Sequence, residues 1–146
     1  YTRGHVAQTP TLGLHQARIA RSGEEVTLIC YGPMVDTCLE AAKEASQEGR
    51  KLEVIDVRSL SPLDMATVYE SVRRTTRAIV VQEAPRTQGV GAEIAARLGE
   101  ELYYVMEAPV LRVTGWSTPY PPAKAEGEHI PDVDRILDAV DRSLAF

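Results

Sequence analysis

Apolar positions follow two alternating rhythms along this chain. Four short runs rich in β-branched residues, 26–31, 52–57, 78–82 and 110–113, are nearly continuously apolar. Such runs suit strands covered on both faces. Between and after them apolar residues recur at spacings of three and four, which predicts helices. The first helical set is Val35, Cys38, Leu39, Ala42 and Ala45, and the second is Met65, Val68 and Val72. The third is Val90, Ile94, Leu98 and Leu102, and the fourth is Val133, Ile136, Leu137, Val140 and Leu144. Pro62 with Asp64, and Pro131 with Asp132, mark two helix starts, where proline loses no hydrogen bond and aspartate accepts from free N–H groups.

Strand alternating with helix predicts a three-layer α/β sandwich, with a mostly parallel sheet of about five strands and helices on both faces. Residues 17–21, followed by the turn signal Ser22-Gly23, predict a further short strand, antiparallel at a sheet edge. Residues 1–14 read as an arm or linker and 15–146 as one domain. Pro119, Pro121, Pro122 and Pro131 make 115–131 an irregular crossover without regular structure. No internal repeat or low-complexity tract appears.

Composition narrows the function classes. A hydrophobic share of 44% supports one core, and a net charge of −5 disfavours nucleic acid and anionic membrane surfaces. No run approaches the ~18 apolar residues of a membrane span. Cys30 and Cys38 lack a CxxC partner and read as buried, reduced thiols. The start at Tyr1 has neither an initiator Met nor signal-peptide character, so the sequence reads as a fragment or a processed piece.

Candidate chemistry is sparse. Gly89-x-Gly91 follows a strand and opens a helix, the place of a phosphate-binding loop. The third small residue of a dinucleotide fingerprint would fall at Ile94, so a tight turn and close helix–sheet packing is the preferred reading. Glu83 and Arg86 lie at the carboxyl end of a strand, where ligands and partners of open sheets gather; a local ion pair competes with that role. Trp116 and Tyr120 sit in the proline-rich crossover, as core pins, the preferred reading, or as interface anchors. Phe146 ends the chain as a docking feature or a frayed terminus. His5, His15 and His129 read as surface or loop residues. Glu40, Glu44 and Glu48 read as a solvated helix face. No Asp, Glu and His cluster has metal spacing.

Several motifs in register carry a likeness from about Gly13 onward. They are Leu28-Ile29-Cys30-Tyr31-Gly32, Val54-Ile55-Asp56-Val57-Arg58-Ser59-Leu60-Ser61-Pro62-Leu63-Asp64, Glu83-Ala84-Pro85-Arg86, Gly89-Val90-Gly91-Ala92-Glu93, Ala108-Pro109-Val110-Leu111-Arg112-Val113-Thr114-Gly115, Thr118-Pro119-Tyr120-Pro121 and Ile130-Pro131-Asp132-Val133. Together they resemble the transketolase C-terminal domain, as found in beta subunits of 2-oxo acid dehydrogenase first components. Ser117 departs from the acidic residue usual there.

The resemblance implies a thiamine-diphosphate- and magnesium-dependent enzyme built from alpha and beta subunits. Oxidative decarboxylation of a 2-oxo acid would be followed by acyl transfer to lipoamide. A branched-chain substrate is preferred over pyruvate on the Glu-Ala-Pro-Arg and Arg-Val-Thr-Gly segments. The cofactor-holding motifs lie outside this chain, which is expected to bind neither cofactor nor metal and to be inactive alone. Its expected partners are a second beta subunit, the alpha subunit and the subunit-binding domain of the lipoyl transacylase. Glu83, Arg86, Trp116, Tyr120 and Phe146 are the candidate contact residues. The expected location is the cytoplasm of a bacterium or the mitochondrial matrix of a eukaryote. A single-chain transketolase-like enzyme such as deoxyxylulose-phosphate synthase is one alternative, and a free-standing nucleotide-binding regulatory module is another.

Overall fold

A computed structural model describes residues 12–146. Five strands form one sheet: β1 (Arg18–Arg21), β2 (Val26–Cys30), β3 (Leu52–Asp56), β4 (Ala78–Pro85) and β5 (Leu111–Gly115). Their spatial order is β1-β3-β2-β4-β5. All neighbours are parallel except β1, which runs antiparallel to β3. The long helices are α1 (Met34–Gln47), α2 (Met65–Thr75), α3 (Val90–Leu102) and α5 (Val133–Leu144), with the single turn α4 (Glu126–His129) before the last.

The apolar runs become strands because they are covered twice. All of β2 is buried. Leu28, Cys30, Val54 and Val81 face α1 and α5, meeting Cys38, Ala42, Ile136 and Val140. Ile29, Ile55 and Val80 face α2 and α3, meeting Val68, Val72, Ile94 and Leu98. The predicted three-layer architecture and the two-sided burial follow from the same alternation. Glu40, Glu44 and Glu48 are exposed along α1, as expected of a solvated face.

β1 lies at the edge, antiparallel as predicted, but across β3 from its sequence neighbour β2. Residues 22–25 therefore cross the start of β3, where the Glu24 and Glu25 N–H groups donate to the Lys51 carbonyl at 2.9 and 3.1 Å. A Cβ on Gly23 would lie 2.2 Å from the backbone of Leu52 and Glu53, so only glycine fits this crossing. The arm expected over 1–14 falls largely outside the described residues. From Gly13 the chain is tied down: the Arg58 guanidinium donates to the carbonyls of Gly13 and Gln16, and the Ala17 N–H donates to Asp64 at 2.9 Å.

Both helix starts read from Pro and Asp are present. Asp132 accepts from the Arg135 N–H at 2.8 Å, and Asp64 accepts from the Thr67 N–H at 3.2 Å and hydroxyl at 2.7 Å. The crossover after β5 departs from expectation, because residues 123–129 form a 3-10 turn and α4. Pro122 stands at the N-cap of that turn, and no proline intervenes before Pro131, so the prolines bound the helical turns rather than preventing them.

One carboxylate is buried in the sheet. Glu53 of β3 is 1% exposed and is held by the Arg74 guanidinium through both oxygens, at 2.9 and 2.8 Å. The Ser71 hydroxyl also donates to it. Thr27 joins this group through Ser71 at 2.8 Å and Thr75 at 2.7 Å, tying β2 and β3 to α2. Removing one partner of such a pair leaves a buried charge alone. Arg74→Met should therefore destabilise the fold by about 3 kcal/mol in urea titration, and the double variant with Glu53→Leu should recover part of that loss.

Asp64 supplies a pH-dependent contribution. Burial alone would raise its carboxyl, but hydrogen bonds from the Thr67 hydroxyl, the Ala17 N–H and the Thr67 N–H prevail and hold it below its usual value. A lowered folded-state pKa gives stability that is present above the unfolded value of about 3.9 and lost as pH falls through the folded one. Asp64→Ala should cost about 1 kcal/mol at neutral pH. The gap to the parent protein should narrow below about pH 4, read by thermal melts across that range.

Candidate functional site

In an open α/β sheet the ligand crevice forms outside the strand carboxyl ends where the connections diverge. Here the connection from β2 leads outward to β3, and the chain then returns across β2 to β4. The crevice position thus lies between the ends of β2 and β4, beneath the amino terminus of α3. A phosphate would meet the free N–H groups of that terminus.

Gln82 fills the position instead. It is fully buried. Its Oε1 accepts from the Gly91 N–H at 2.7 Å and from the Tyr31 hydroxyl at 3.3 Å. Its Nε2 donates to the carbonyls of Ala84 at 3.2 Å and Pro85 at 3.0 Å. Both ends of the carboxamide are thereby satisfied in one orientation. A Cβ on Gly89 would lie 2.1 Å from Nε2, and one on Gly91 would lie 2.7 Å from Oε1. The two glycines make room for this side chain, as the packing reading of Gly89-x-Gly91 expects. Burial, and then the Glu83 carboxylate, raise the Tyr31 phenol above its ordinary value, so Tyr31 stays a donor.

The predicted contact residues separate into groups. Glu83 is half-buried at the end of β4. Arg86 is exposed, and no ion pair joins it to Glu83 among the described residues. Its Nη1 donates to the Arg112 carbonyl at 3.4 Å, while Arg112 Nη1 donates back to the Arg86 carbonyl at 3.0 Å. Phe146 is 72% exposed beyond the end of α5.

Trp116 is 54% exposed and lies outside both core clusters, which corrects the expectation that it pins the loop on the core. It ties the crossover by a polar bond, its Nε1 donating to the Glu128 carbonyl at 2.9 Å, with the Arg135 guanidinium 4.6 Å from its ring centre. Tyr120, 61% exposed and also outside both core clusters, corrects the same expectation; it stands edge-on to His129, their rings 5.1 Å apart, and its hydroxyl donates to Glu126. That hydrogen bond, more than burial, pushes its phenol up to about 12.

His129 is 4% exposed, against the expectation of a surface or loop residue, because it packs where a Cβ on Gly115 would lie 2.7 Å from its Nε2. His15 is exposed and bonds Ser59 at 3.2 Å, whereas His5 lies outside the described residues. Ser117 bonds Thr87 at 3.2 Å. Cys30 and Cys38 are buried and free, and a hydrogen bond with Cys38, then burial, push the Cys30 thiol far up. Sequence reasoning assigned no role to Gln82 or Arg135; for Gln82 the signal was a polar residue closing an apolar strand.

The fold and its filled switch point define an open-sheet α/β domain whose ligand crevice is closed by its own side chain. A family model of the transketolase C-terminal domain matches residues 15–136, and the chain belongs to that family.

Among curated relatives, the pyruvate dehydrogenase E1 component subunit beta of Leifsonia xyli subsp. xyli is 54% identical over 135 residues, covering 92% of this chain and 40% of the relative. The 3-methyl-2-oxobutanoate dehydrogenase subunit beta of Mycobacterium tuberculosis is 49% identical over 136 residues, covering 92% and 38%. The chain thus spans about two fifths of the curated relatives it matches. A solved structure described as a split gene transketolase, an inactive beta4 tetramer, aligns with a TM-score of 0.82 at 27% identity, covering 96% of this chain and 45% of that one.

If Gln82 replaces a ligand, closing its space should loosen α3. Gly91→Ala should cost about 1–3 kcal/mol in chemical denaturation, as overpacking does. The parent protein should show no saturable heat with nucleotides at millimolar concentration, the ligands that a phosphate-binding Gly89-x-Gly91 loop would take.

Proposed function

We propose that the chain is the C-terminal assembly and partner-docking domain of the beta subunit of a thiamine-diphosphate-dependent 2-oxo acid dehydrogenase. The observation that carries this reading is identity of 54% and 49%, over 92% of the chain, to beta subunits of two such enzymes. The whole enzyme would decarboxylate a 2-oxo acid oxidatively and pass the acyl group to lipoamide. Pyruvate and 3-methyl-2-oxobutanoate are the substrates in the relatives' names, and the similarities do not separate them.

In this reading the cofactor is held outside this chain, and two features support that. The helix terminus that would face a diphosphate is closed by the Gln82 carboxamide. Among the described residues no group of three His, Cys, Asp or Glu side chains could hold magnesium. Thiamine diphosphate and magnesium therefore belong, in this reading, to the alpha subunit and to the rest of beta. The domain's part is contact with a second beta subunit, with alpha and with the transacylase's subunit-binding domain. Glu83, Tyr120 and Phe146 offer exposed or half-exposed groups for it. Such a complex would reside in the bacterial cytoplasm or the mitochondrial matrix.

Two measurements test this. Calorimetry of the 146-residue chain with thiamine diphosphate and magnesium should give no saturable heat; saturation would overturn the assignment of the cofactor to other domains. In the assembled enzyme, Glu83→Lys or deletion of Phe146 should weaken transacylase docking about tenfold, near 1.4 kcal/mol. Unchanged affinity in both variants removes the docking surface from this part of the domain.

A further inference from the structure

A groove of about 490 Å³ runs between β5 and α5, and its charge is opposite to that of the chain. Arg86, Arg112, Arg135 and Arg142 line it against only Asp134 and Asp138, in a chain of net charge −5. Little of the arginines' charge is neutralised by carboxylates within the groove. Arg86 and Arg112 bond each other's backbone carbonyls at 3.4 and 3.0 Å, and Arg135 Nη2 donates to the Thr114 carbonyl at 2.6 Å. Arg135 Nη1 is buried without a partner. Only Arg142 meets a carboxylate, Asp138 at 3.5 Å. Among the described residues no carboxylate pairs with the other three.

The groove's length decides what fits it. Along α5 it runs from Asp134 to Arg142, about 12 Å at 1.5 Å per helical residue. A phosphate occupies a fraction of that. An extended peptide advances about 3.3 Å per residue, so roughly four residues would span the groove, alternate side chains pointing into it. Guanidinium groups match carboxylates in planar pairs. Trp116 stands at one end, half exposed, with Arg135 already stacked on its ring at 4.6 Å.

We propose that the groove between β5 and α5 is a docking site for an extended acidic segment of a partner protein, whose carboxylates pair with Arg86, Arg112 and Arg142. The site belongs to the domain itself. Its occupancy therefore succeeds or fails independently of the dehydrogenase reading.

Trp116 is the sole tryptophan of the chain and reports on the groove directly. The probe is a synthetic peptide of alternating glutamate and valine, titrated into the 146-residue chain at low salt and followed by Trp116 fluorescence. A twin peptide carries glutamine for every glutamate. The expected result is saturable change with the acidic peptide, none with the twin, and affinity that falls as salt rises. Arg86→Gln and, separately, Arg142→Glu should each weaken binding at least about tenfold. The Arg142 side chain is 63% exposed, so its replacement leaves the fold intact, which a melting curve verifies. Equal binding of the twin peptide overturns the proposal. So does the same fluorescence change with inorganic phosphate alone at matching concentration, which would mark a simple anion site. Absence of saturation by the acidic peptide at millimolar concentration also overturns it.

Discussion

The domain depends on the Gln82 carboxamide at the divergence of its sheet. A helix that begins over a strand end presents N–H groups that need acceptors. A bound phosphate is one solution. Here a side chain of β4 supplies the acceptor, at 2.7 Å from the Gly91 N–H, and spends its own donors on the carbonyls of Ala84 and Pro85. The arrangement requires glycine at 89 and 91, because any Cβ there meets the carboxamide. A partial nucleotide fingerprint and a closed crevice are thus one feature. An open-sheet scaffold has exchanged its usual ligand position for internal rigidity.

The opposite end of the sheet is closed by charge. Glu53, Arg74, Ser71, Thr27 and Thr75 join two strands to α2 where the chain also crosses at Gly23. Such groups fix geometry more than they add stability, since a buried ion pair gains little over apolar packing. With both ends of β2 and β3 committed to internal contacts, the exposed chemistry moves outward to β5 and the crossover behind it. Carbonyls two residues apart on β5, those of Arg112 and Thr114, are both taken by guanidinium groups.

The layers were legible in the sequence because two-sided burial leaves an unbroken apolar run, and nothing else in this chain does. The edge position of β1 was legible from its tight turn, but not its neighbour, since Gly23 reports a close crossing without saying which strand is crossed. Residues 123–129 were misread because four prolines suggested a uniform loop, whereas proline bars a helix only from its interior. His129 gave no sign of burial, for its cover is made by Tyr120 and Gly115 from elsewhere in the chain. Arg135 lay hidden in an amphipathic pattern that distinguishes apolar from polar positions and says nothing of which polar residue meets an aromatic ring.

The same limit explains why contact residues are harder to read than the core. A core residue is specified by its own apolarity repeated at a regular period. A surface site is specified by residues that the fold alone brings together. Arg86 follows β4, Arg112 lies within β5, and Arg135 and Arg142 sit on α5, so their sequence spacing carries no period. Only the return of α5 beside β5 gathers them along one groove. Their shared sign then matters more than their number, because like charges held together by the backbone store repulsion that an acidic partner relieves. The domain closes its crevice with Gln82 and carries its surface arginines beside β5, the edge strand at the parallel side of the sheet.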